Sequence, residues 1–289
     1  MTMQKILVPI AFPMTAHGVA NEAATLARRF KSEIILLHVV TPPGHVPGMP
    51  MHGPALTEQD RHVDAIKRAQ ESLDEALLPQ FNGLTVRRLL LKGDPASEIV
   101  RTAREEKVDL IAMSTHSHGV LYRLLLGSTA AKVLHHAQCP VWTDTRGNAP
   151  EGEFAIRGVL CAVDLGPHSR NTVSHAAQLA ADFGARLTLV HVTPAAEAYG
   201  PGGYHVVAEW QEALVGYASE GMTRLQQELH TSAEVIIENG KVSERLNFAA
   251  EQTKSDLLVL GRKPPGGHLG DNGGGYAIIR DARIAVLSF

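Results

Sequence analysis

The chain contains an internal repeat that covers most of its length. Residues Lys5–Val39 align with Gly158–Val192 without a gap, at an offset of 153. In both segments an apolar run is followed by a polar break, a helical pattern of small residues and a second apolar run that ends in His-Val. The match resumes where Lys107–Ser114 aligns with Lys254–Gly261 at an offset of 147. A repeat of this length predicts a duplicated domain, because solenoid arrays repeat about every 20–50 residues.

Composition limits the partners and the compartment. The 289 residues are 44% apolar and carry a net charge of −3, which is typical of a globular chain and argues against a nucleic-acid or anionic-membrane partner. No apolar run reaches the roughly 18 residues that could span a bilayer, and the first residues lack a signal-peptide cleavage pattern. Cys139 and Cys161 lie in apolar runs, so we expect small buried hydrophobic residues rather than a disulfide. These features predict a cytoplasmic protein.

Strand and helix patterns alternate along the first copy. Strands are predicted at Lys5–Ala11, Ser32–Val40, Leu84–Leu91, Val108–Met113 and Cys139–Thr143, and helices at Ala16–Phe30, Glu58–Leu78, the Gly93-Asp94-Pro95 turn to Glu106, and Ser128–Ala137. The second copy repeats this order, with its third strand at Ala233–Glu238 and its fourth at Asp256–Gly261. The polar segment Asp144–Glu153 is predicted to link a domain of residues 1–146 to a domain of residues 155–289.

Five strands separated by helices predict an α/β fold, in which each copy forms a parallel sheet covered by helices on both faces. Ligands of such folds bind outside the carboxyl ends of the strands, where the winding direction reverses. The candidate segments are therefore residues 10–12, 38–39, 114–117 and the loop to 128 in the first copy, and residues 163–165, 191–192 and 261–275 in the second.

The most specific local pattern is Ser114-Thr-His-Ser117, followed nine residues later by Gly127-Ser128 and a helix. A turn that leads into a helix start presents unpaired N–H groups and a positive dipole end, which suits a phosphate. Gly127 would allow close backbone approach, and Ser128 would serve as N-cap or phosphate donor. The same spacing also fits an ordinary strand–loop–helix connection with a serine N-cap, so both interpretations stay open.

Several segments together carry a family resemblance. They are the opening strands KILVPIAF and VLCAVDLG, the strand ends LLHV and LVHV, the Gly93-Asp94-Pro95 turn, and the stretch KVDLIAMSTHSHGVLYRLLLGSTAAKVLHHAQCPVW. In these the chain resembles the universal stress proteins in their tandem, two-domain form. The resemblance implies two Rossmann-like domains of the adenine nucleotide alpha hydrolase-like type, each a five-stranded parallel sheet of order 3-2-1-4-5. It also implies a pseudo-twofold pairing with Pro140–Thr143 and Ile284–Leu287 near the interface, and a homodimer.

ATP-binding members of that family carry Gly-x2-Gly-x9-Gly-Ser/Thr after the fourth strand, an Asp at the end of the first strand, and a Val that follows the second-strand His and contacts the adenosine through its backbone. In the first copy the matching residues are Val39, Ser114, Ser117, Gly127 and Ser128, with Ala11 at the Asp position. Serine keeps the backbone N–H, so the phosphate contacts of this copy survive in principle. The carboxylate contact is absent.

The second copy has the opposite pattern. Asp164, Val192 and Gly261 match the family residues, but the second glycine position is Pro264, which has no N–H. The glycine-rich loop 261–275 is two residues shorter, and is either a degenerate surface loop or a rebuilt anion site on Gly273–Gly275. Asp164 has two interpretations as well, a ligand contact or a cap on the following turn.

The expected function is therefore a non-catalytic stress-response module with weak or single-site ATP binding, in the first copy. The alternative is a nucleotide-free scaffold that acts through protein partners or another small ligand. An enzyme of the related nucleotide-hydrolase folds is disfavoured, because no phosphate-loop lysine motif and no acid/base pair occur. The 15 histidines show no tight metal-ligand spacing, so no metal is expected. The His-containing loop 41–54 has no assigned role.

Overall fold

The computed structural model describes residues 2–12, 17–41, 58–115, 126–144, 154–195, 203–262 and 274–289, without the side chains of residues 58–63, 203–208 and 274. It divides into two compact units, Thr2–Phe154 and Ala155–Phe289, called the first and second units below. The predicted site positions Ser117, Pro264 and Gly273 lie outside the described residues, as do most of loop 41–54 and of the linker.

The first unit alternates strands and helices throughout. Its elements are β1 Lys5–Ile10, α1 His17–Phe30, β2 Glu33–Val40, α2 Glu58–Glu75, β3 Val86–Lys92, α3 Pro95–Glu105, β4 Leu110–Ser114, α4 Ser128–His136 and β5 Val141–Asp144.

The second unit repeats the same succession. Its elements are β6 Gly158–Ala162, α5 Ser169–Phe183, β7 Arg186–Thr193, α6 Gly203–Leu229, β8 Glu234–Asn239, α7 Val242–Gln252, β9 Leu257–Leu260, α8 Gly274–Asp281 and β10 Ala285–Ser288.

Each unit contains a parallel five-stranded arrangement. The order is β3-β2-β1-β4-β5 in the first unit and β10-β9-β6-β7-β8 in the second, which is 3-2-1-4-5 in both when each copy's strands are numbered from one. Every strand pair recorded within a unit is parallel. The predicted fold class and strand order are therefore confirmed. How the two copies pair, and whether the chain forms a homodimer, stay predictions.

The central strands are buried because helices cover both faces of a doubly wound sheet. Ile6, Leu7 and Val8 of β1 are fully buried, as is the middle of β4. Helix α1 packs a stripe of small and branched residues at helical spacing, including Val19 and Ala23, against this core. Among the described helices, none is long and apolar enough to cross a membrane.

Helix α2 ends three residues before the predicted Leu78. Leu77 adopts a left-handed conformation with φ 54°, which a helix interior does not allow. The guanidinium of Arg88, on β3, donates to the carbonyls of Leu73 and Ala76 at 3.0 and 3.3 Å. This contact between distant segments satisfies the last carbonyls of the helix, and periodicity alone does not reveal it.

Strand β5 starts at Val141 rather than at the predicted Cys139. Pro140 has no N–H for the ladder, although its carbonyl accepts from Ile111 N–H at 3.0 Å. Asp144, predicted to begin the linker, is instead the last residue of the strand and is buried.

The two cysteines differ in their surroundings. Neither forms a disulfide. Cys161 is fully buried, and burial raises the pKa of its thiol to about 12. Cys139 is only half-buried, so the expectation of a small buried hydrophobic residue is wrong in part for that position.

Candidate functional site

In the first unit β1 ends before its neighbour β2. The last β1–β2 pair joins Ile10 to His38, and β2 continues through Val39 and Val40. The carbonyl of Val40 faces β3, because it accepts from Gly93 N–H at 3.1 Å. Since carbonyls alternate along a strand, the carbonyl of Val39 faces the other way, over the end of β1. The fold thus places the backbone of Val39 at the predicted ligand position.

The second unit has the same arrangement. The last β6–β7 pair joins Ala162 to Val190, and β7 continues to Thr193. The carbonyl of Thr193 faces β8, because it accepts from Gly240 N–H at 3.0 Å. The carbonyl of Val192 therefore faces the end of β6, in the same relation as Val39 to β1.

The repeated histidines hold these strand ends together. His38 Nδ1 lies 2.9 Å from the Ile10 carbonyl oxygen, and His191 Nδ1 lies 2.7 Å from the Val163 carbonyl oxygen. Because a carbonyl can only accept, both rings carry the Nδ1 proton. The ring of Phe12 also packs on His38, with centroids 4.7 Å apart. No group of three or more metal-binding side chains occurs in the part of the chain that the structure describes.

The two ends of the connection between β4 and α4 meet at Thr115 in the first unit. This buried residue, which follows Ser114 at the end of β4, directs its N–H and its hydroxyl to the carbonyl of Asp144, at 3.2 and 3.3 Å. Its own carbonyl accepts from Gly127 N–H at 3.0 Å. The loop between Thr115 and Gly127 is therefore closed at its base, and the N–H of Gly127 serves that closure rather than an approaching ligand.

Helix α4 begins directly after this closure. Gly127 is the N-cap, with φ −58° and ψ 142°, so the prediction that Ser128 caps the helix is wrong. Ser128 is the first helical residue and is exposed. No side chain caps this helix start among the described residues. Since the first turn of a helix has N–H groups without intrahelical partners, this start is suited to an anion.

Helix α3 in the same unit shows what a capped start looks like. Asp94 Oδ2 accepts from the hydroxyl and the N–H of Ser97, at 2.8 and 3.0 Å. The hydrogen bond from the Ser97 hydroxyl has the largest effect on the Asp94 carboxyl and lowers its pKa below the ordinary value. The hydrogen bond from the Ser97 N–H acts in the same direction. The first unit therefore leaves α4, but not α3, without a side-chain cap in the described part of the chain.

Asp164 in the second unit caps the turn that follows it. Its Oδ1 accepts from Gly166 N–H at 2.9 Å and from the Ser169 hydroxyl at 2.6 Å. Burial acts to raise the pKa of this carboxyl, but these hydrogen bonds outweigh it and the pKa lies below its ordinary value. Leu165, which lies between Asp164 and Gly166, adopts a left-handed conformation with φ 58°. The capping interpretation of Asp164 thus has direct structural support.

Gly261 lies against helix α5. A Cβ added at this position would come within 2.7 Å of Thr172 Oγ1, closer than real Cβ contacts allow. Packing against Thr172 therefore favours glycine here without any reference to a ligand. Next to it, Arg262 N–H donates to the Phe289 carbonyl, so the second unit repeats the Thr115–Asp144 link between the fourth and fifth strands.

Comparison with known proteins decides the family. The model of the universal stress protein family matches this chain twice, over residues 2–143 and 155–270. The chain belongs to the universal stress protein family. A universal stress protein of Methanocaldococcus jannaschii is 32% identical over 142 residues, which cover 48% of this chain and 79% of that protein.

A solved structure over nearly the whole chain shows the same fold. A universal stress protein of Archaeoglobus fulgidus has a TM-score of 0.70 at 19% identity, covering 98% of this chain and 97% of its own. The structure of a universal stress protein of Archaeoglobus fulgidus in complex with dAMP covers 49% of this chain and 97% of its own, at 22% identity and a TM-score of 0.36. Binding of dAMP is therefore a property of that Archaeoglobus fulgidus protein.

Sequence reasoning missed three residues that shape this universal stress protein site. They are Thr115, which closes the loop, and the ion pair of Lys132 with Asp94, whose Nζ and Oδ1 atoms are 3.6 Å apart. The position of Thr115 inside the Ser-Thr-His-Ser pattern was the available signal for the first. The spacing of Lys132, four residues after Ser128, was the signal for the second, because residues four apart share a helix face.

The packing role of Gly261 is testable with a matched pair of glycines. Gly261→Ala is expected to lower the free energy of unfolding of the second unit by about 1–3 kcal/mol, because the new Cβ overpacks against Thr172. Gly216→Ala, in helix α6 with open space where the new Cβ would lie, is expected to raise it by about 0.5–1 kcal/mol. Thermal and urea unfolding measure both. Equal effects of the two substitutions would contradict the packing argument.

Proposed function

We propose that this protein is a non-catalytic, cytoplasmic stress-response protein that binds ATP in its first unit. The start of α4 carries the proposal: a helix N-terminus with glycine at the N-cap, an exposed Ser128 and no side-chain cap among the described residues. The carbonyl of Val39 lies over the end of β1, where the nucleoside would contact the backbone. The family pattern supports the same residues, with Ser114 and Ser117 in the two leading glycine positions.

The second unit is proposed to lack ATP binding. Its Asp164 already accepts two local hydrogen bonds through one oxygen, and its Gly261 is explained by packing against Thr172. Pro264 stands where the family pattern has a glycine and offers no N–H to a phosphate. Asp164 and Val192 alone do not replace a phosphate site, because phosphate contacts supply the strongest hydrogen bonds of a nucleotide.

A direct analysis of bound ligands tests the proposal. We expect mass spectrometry of the denatured, purified protein to release adenine nucleotide, and titration calorimetry with ATP to give no more than one site per chain. We expect no ATP turnover above the background rate, since the sequence lacks a phosphate-loop lysine motif and an acid/base pair. Two equivalent sites per chain, or the absence of any ATP binding, would contradict the single-site proposal.

A scaffold that acts through protein partners is the second candidate, and one surface favours it. Trp210 and Tyr217 are seven residues apart on α6, on one helix face, and are 57% and 75% exposed. Exposed aromatic residues on one face are typical of interaction surfaces. A protein that releases no nucleotide but binds a protein partner through α6 would favour this candidate.

We also propose a homodimer in solution, which light scattering at micromolar concentrations measures.

A further inference from the structure

Lys132 places a positive charge beside the start of two helices. It lies on α4, four residues after Ser128, and its Nζ is 3.6 Å from Oδ1 of Asp94, the N-cap residue of α3. Long helical side chains point back toward the N-terminus of their helix, so the ammonium lies level with the first turn of α4. Both partners are largely exposed, at 59% and 42% of their side-chain surface.

A backbone contact connects this ion pair to the end of β2, where the nucleoside is proposed to bind. Gly93, which precedes Asp94, donates its N–H to the carbonyl of Val40 at 3.1 Å. Gly93 adopts φ 147°, a conformation that favours glycine, so the turn is fixed where the second strand ends. Lys132 therefore contacts the turn between β3 and α3, and the same turn is hydrogen-bonded to the end of β2.

The sequence does not repeat this ion pair in the second unit. The positions that match Lys132 and Asp94 there, at offsets of 145 and 147, are Ala277 and Lys241. Ala277 carries no charge, and Lys241 is the N-cap of α7 and makes no side-chain cap there. The second unit thus lacks both members of the pair, as well as the full-length loop.

We infer that Lys132 binds the β- and γ-phosphates of the nucleotide in the first unit, exchanging Asp94 for phosphate oxygens. The inference rests on the proposed function of that unit. An exposed lysine–carboxylate pair contributes little stability, so the exchange costs little. A phosphate group offers several charged acceptors to the three donors of an ammonium, and these charge-assisted hydrogen bonds are stronger than neutral ones. Lys132 then gives the site a preference for ATP over AMP.

Calorimetric titration of ATP and AMP into wild type and variants tests this role. Lys132→Met should weaken ATP binding about tenfold, the loss of one charge-assisted contact, and change AMP binding less than about twofold. Lys132→Arg should restore most of the ATP affinity. Asp94→Asn keeps an oxygen for capping α3 but removes the competing charge, so ATP should bind a few-fold more tightly. Lys241→Met, which removes an exposed lysine in the second unit, is the control and should change neither affinity.

The results distinguish a failure of the role of Lys132 from a failure of the proposed ATP binding in the first unit. A wild-type protein that binds neither ATP nor AMP overturns the proposed function and the role of Lys132 together. ATP binding that Lys132→Met leaves unchanged, or weakens no more than AMP binding, overturns the role of Lys132 while the proposed function stands. Circular dichroism of each variant shows whether α3 and α4 are still formed.

Discussion

Replacing Gly127 by aspartate is expected to weaken ATP binding in the first unit more than about a hundredfold without weakening its fold. Gly127 is the N-cap of α4 and has an extended backbone that any residue adopts. An aspartate there would accept hydrogen bonds from the first-turn N–H groups, as Asp94 does for α3, and stabilise the helix by a few tenths of a kcal/mol relative to glycine. It would also place a negative charge where the phosphate must lie.

The expected loss of ATP affinity is large because the new cap and its negative charge both act at the first-turn N–H groups of α4. Two charge-assisted hydrogen bonds are worth about 1.5–3 kcal/mol each, so losing them weakens ATP binding more than about a hundredfold. Gly127→Asn caps the helix without the charge and should weaken binding less. Asp164→Ala, in the second unit, should leave ATP affinity unchanged. Titration calorimetry compares the three, and ATP affinity that survives Gly127→Asp but disappears with Asp164→Ala would reverse the assignment of the copies.

The fold was predictable because its determinants repeat along the chain. The gapless match of Lys5–Val39 with Gly158–Val192 becomes an identical strand order in the two units. Even the His-Val ends have the same contact, from His38 to the Ile10 carbonyl and from His191 to the Val163 carbonyl. Apolar periodicity and helical patterns of small residues are local signals, and they occur in both copies.

The hydrogen bonds of the site were not predictable in the same way. The pattern marked Gly127 as a phosphate contact, yet its N–H closes the loop on Thr115, twelve residues earlier. It marked Gly261 as a phosphate glycine, yet the nearest atom to its missing Cβ is the hydroxyl of Thr172, on another helix. A spacing specifies which residues are small or polar, but tertiary packing decides what each backbone group contacts.

The two copies differ at two matching features, the carboxylate position after the first strand and the loop after the fourth strand. The first copy carries Ala11 where the second carries Asp164, and it keeps the loop that ends in Gly127-Ser128. The second copy uses its carboxylate to hold the turn before α5, through the N–H of Gly166 and the hydroxyl of Ser169. A carboxylate engaged in this way stabilises its own turn, so its presence in the sequence does not by itself indicate a nucleotide contact.

Truncating Trp142 is expected to destabilise the first unit more than any other single change considered for this protein. Its side chain is fully buried at the centre of β5, and its ring packs edge-on against Phe154, with centroids 6.0 Å apart. The indole N–H donates to Glu22 Oε2 on α1 at 2.6 Å, inside the core. Trp142→Ala should therefore lower the free energy of unfolding of this unit by about 3–5 kcal/mol.

The chain supplies its own control for this substitution, because it contains one other tryptophan. Trp210 is 57% exposed on α6, and Trp210→Ala should change stability by less than about 0.5 kcal/mol. Trp142→Phe keeps most of the ring but removes the donor to the buried Glu22 carboxylate, so it should cost about 1–3 kcal/mol. Scanning calorimetry gives the stability of each variant, and hydrogen exchange in β4 and β5 shows which unit has lost it. Similar losses for Trp142→Ala and Trp210→Ala would show that the buried indole does not hold α1 to the sheet.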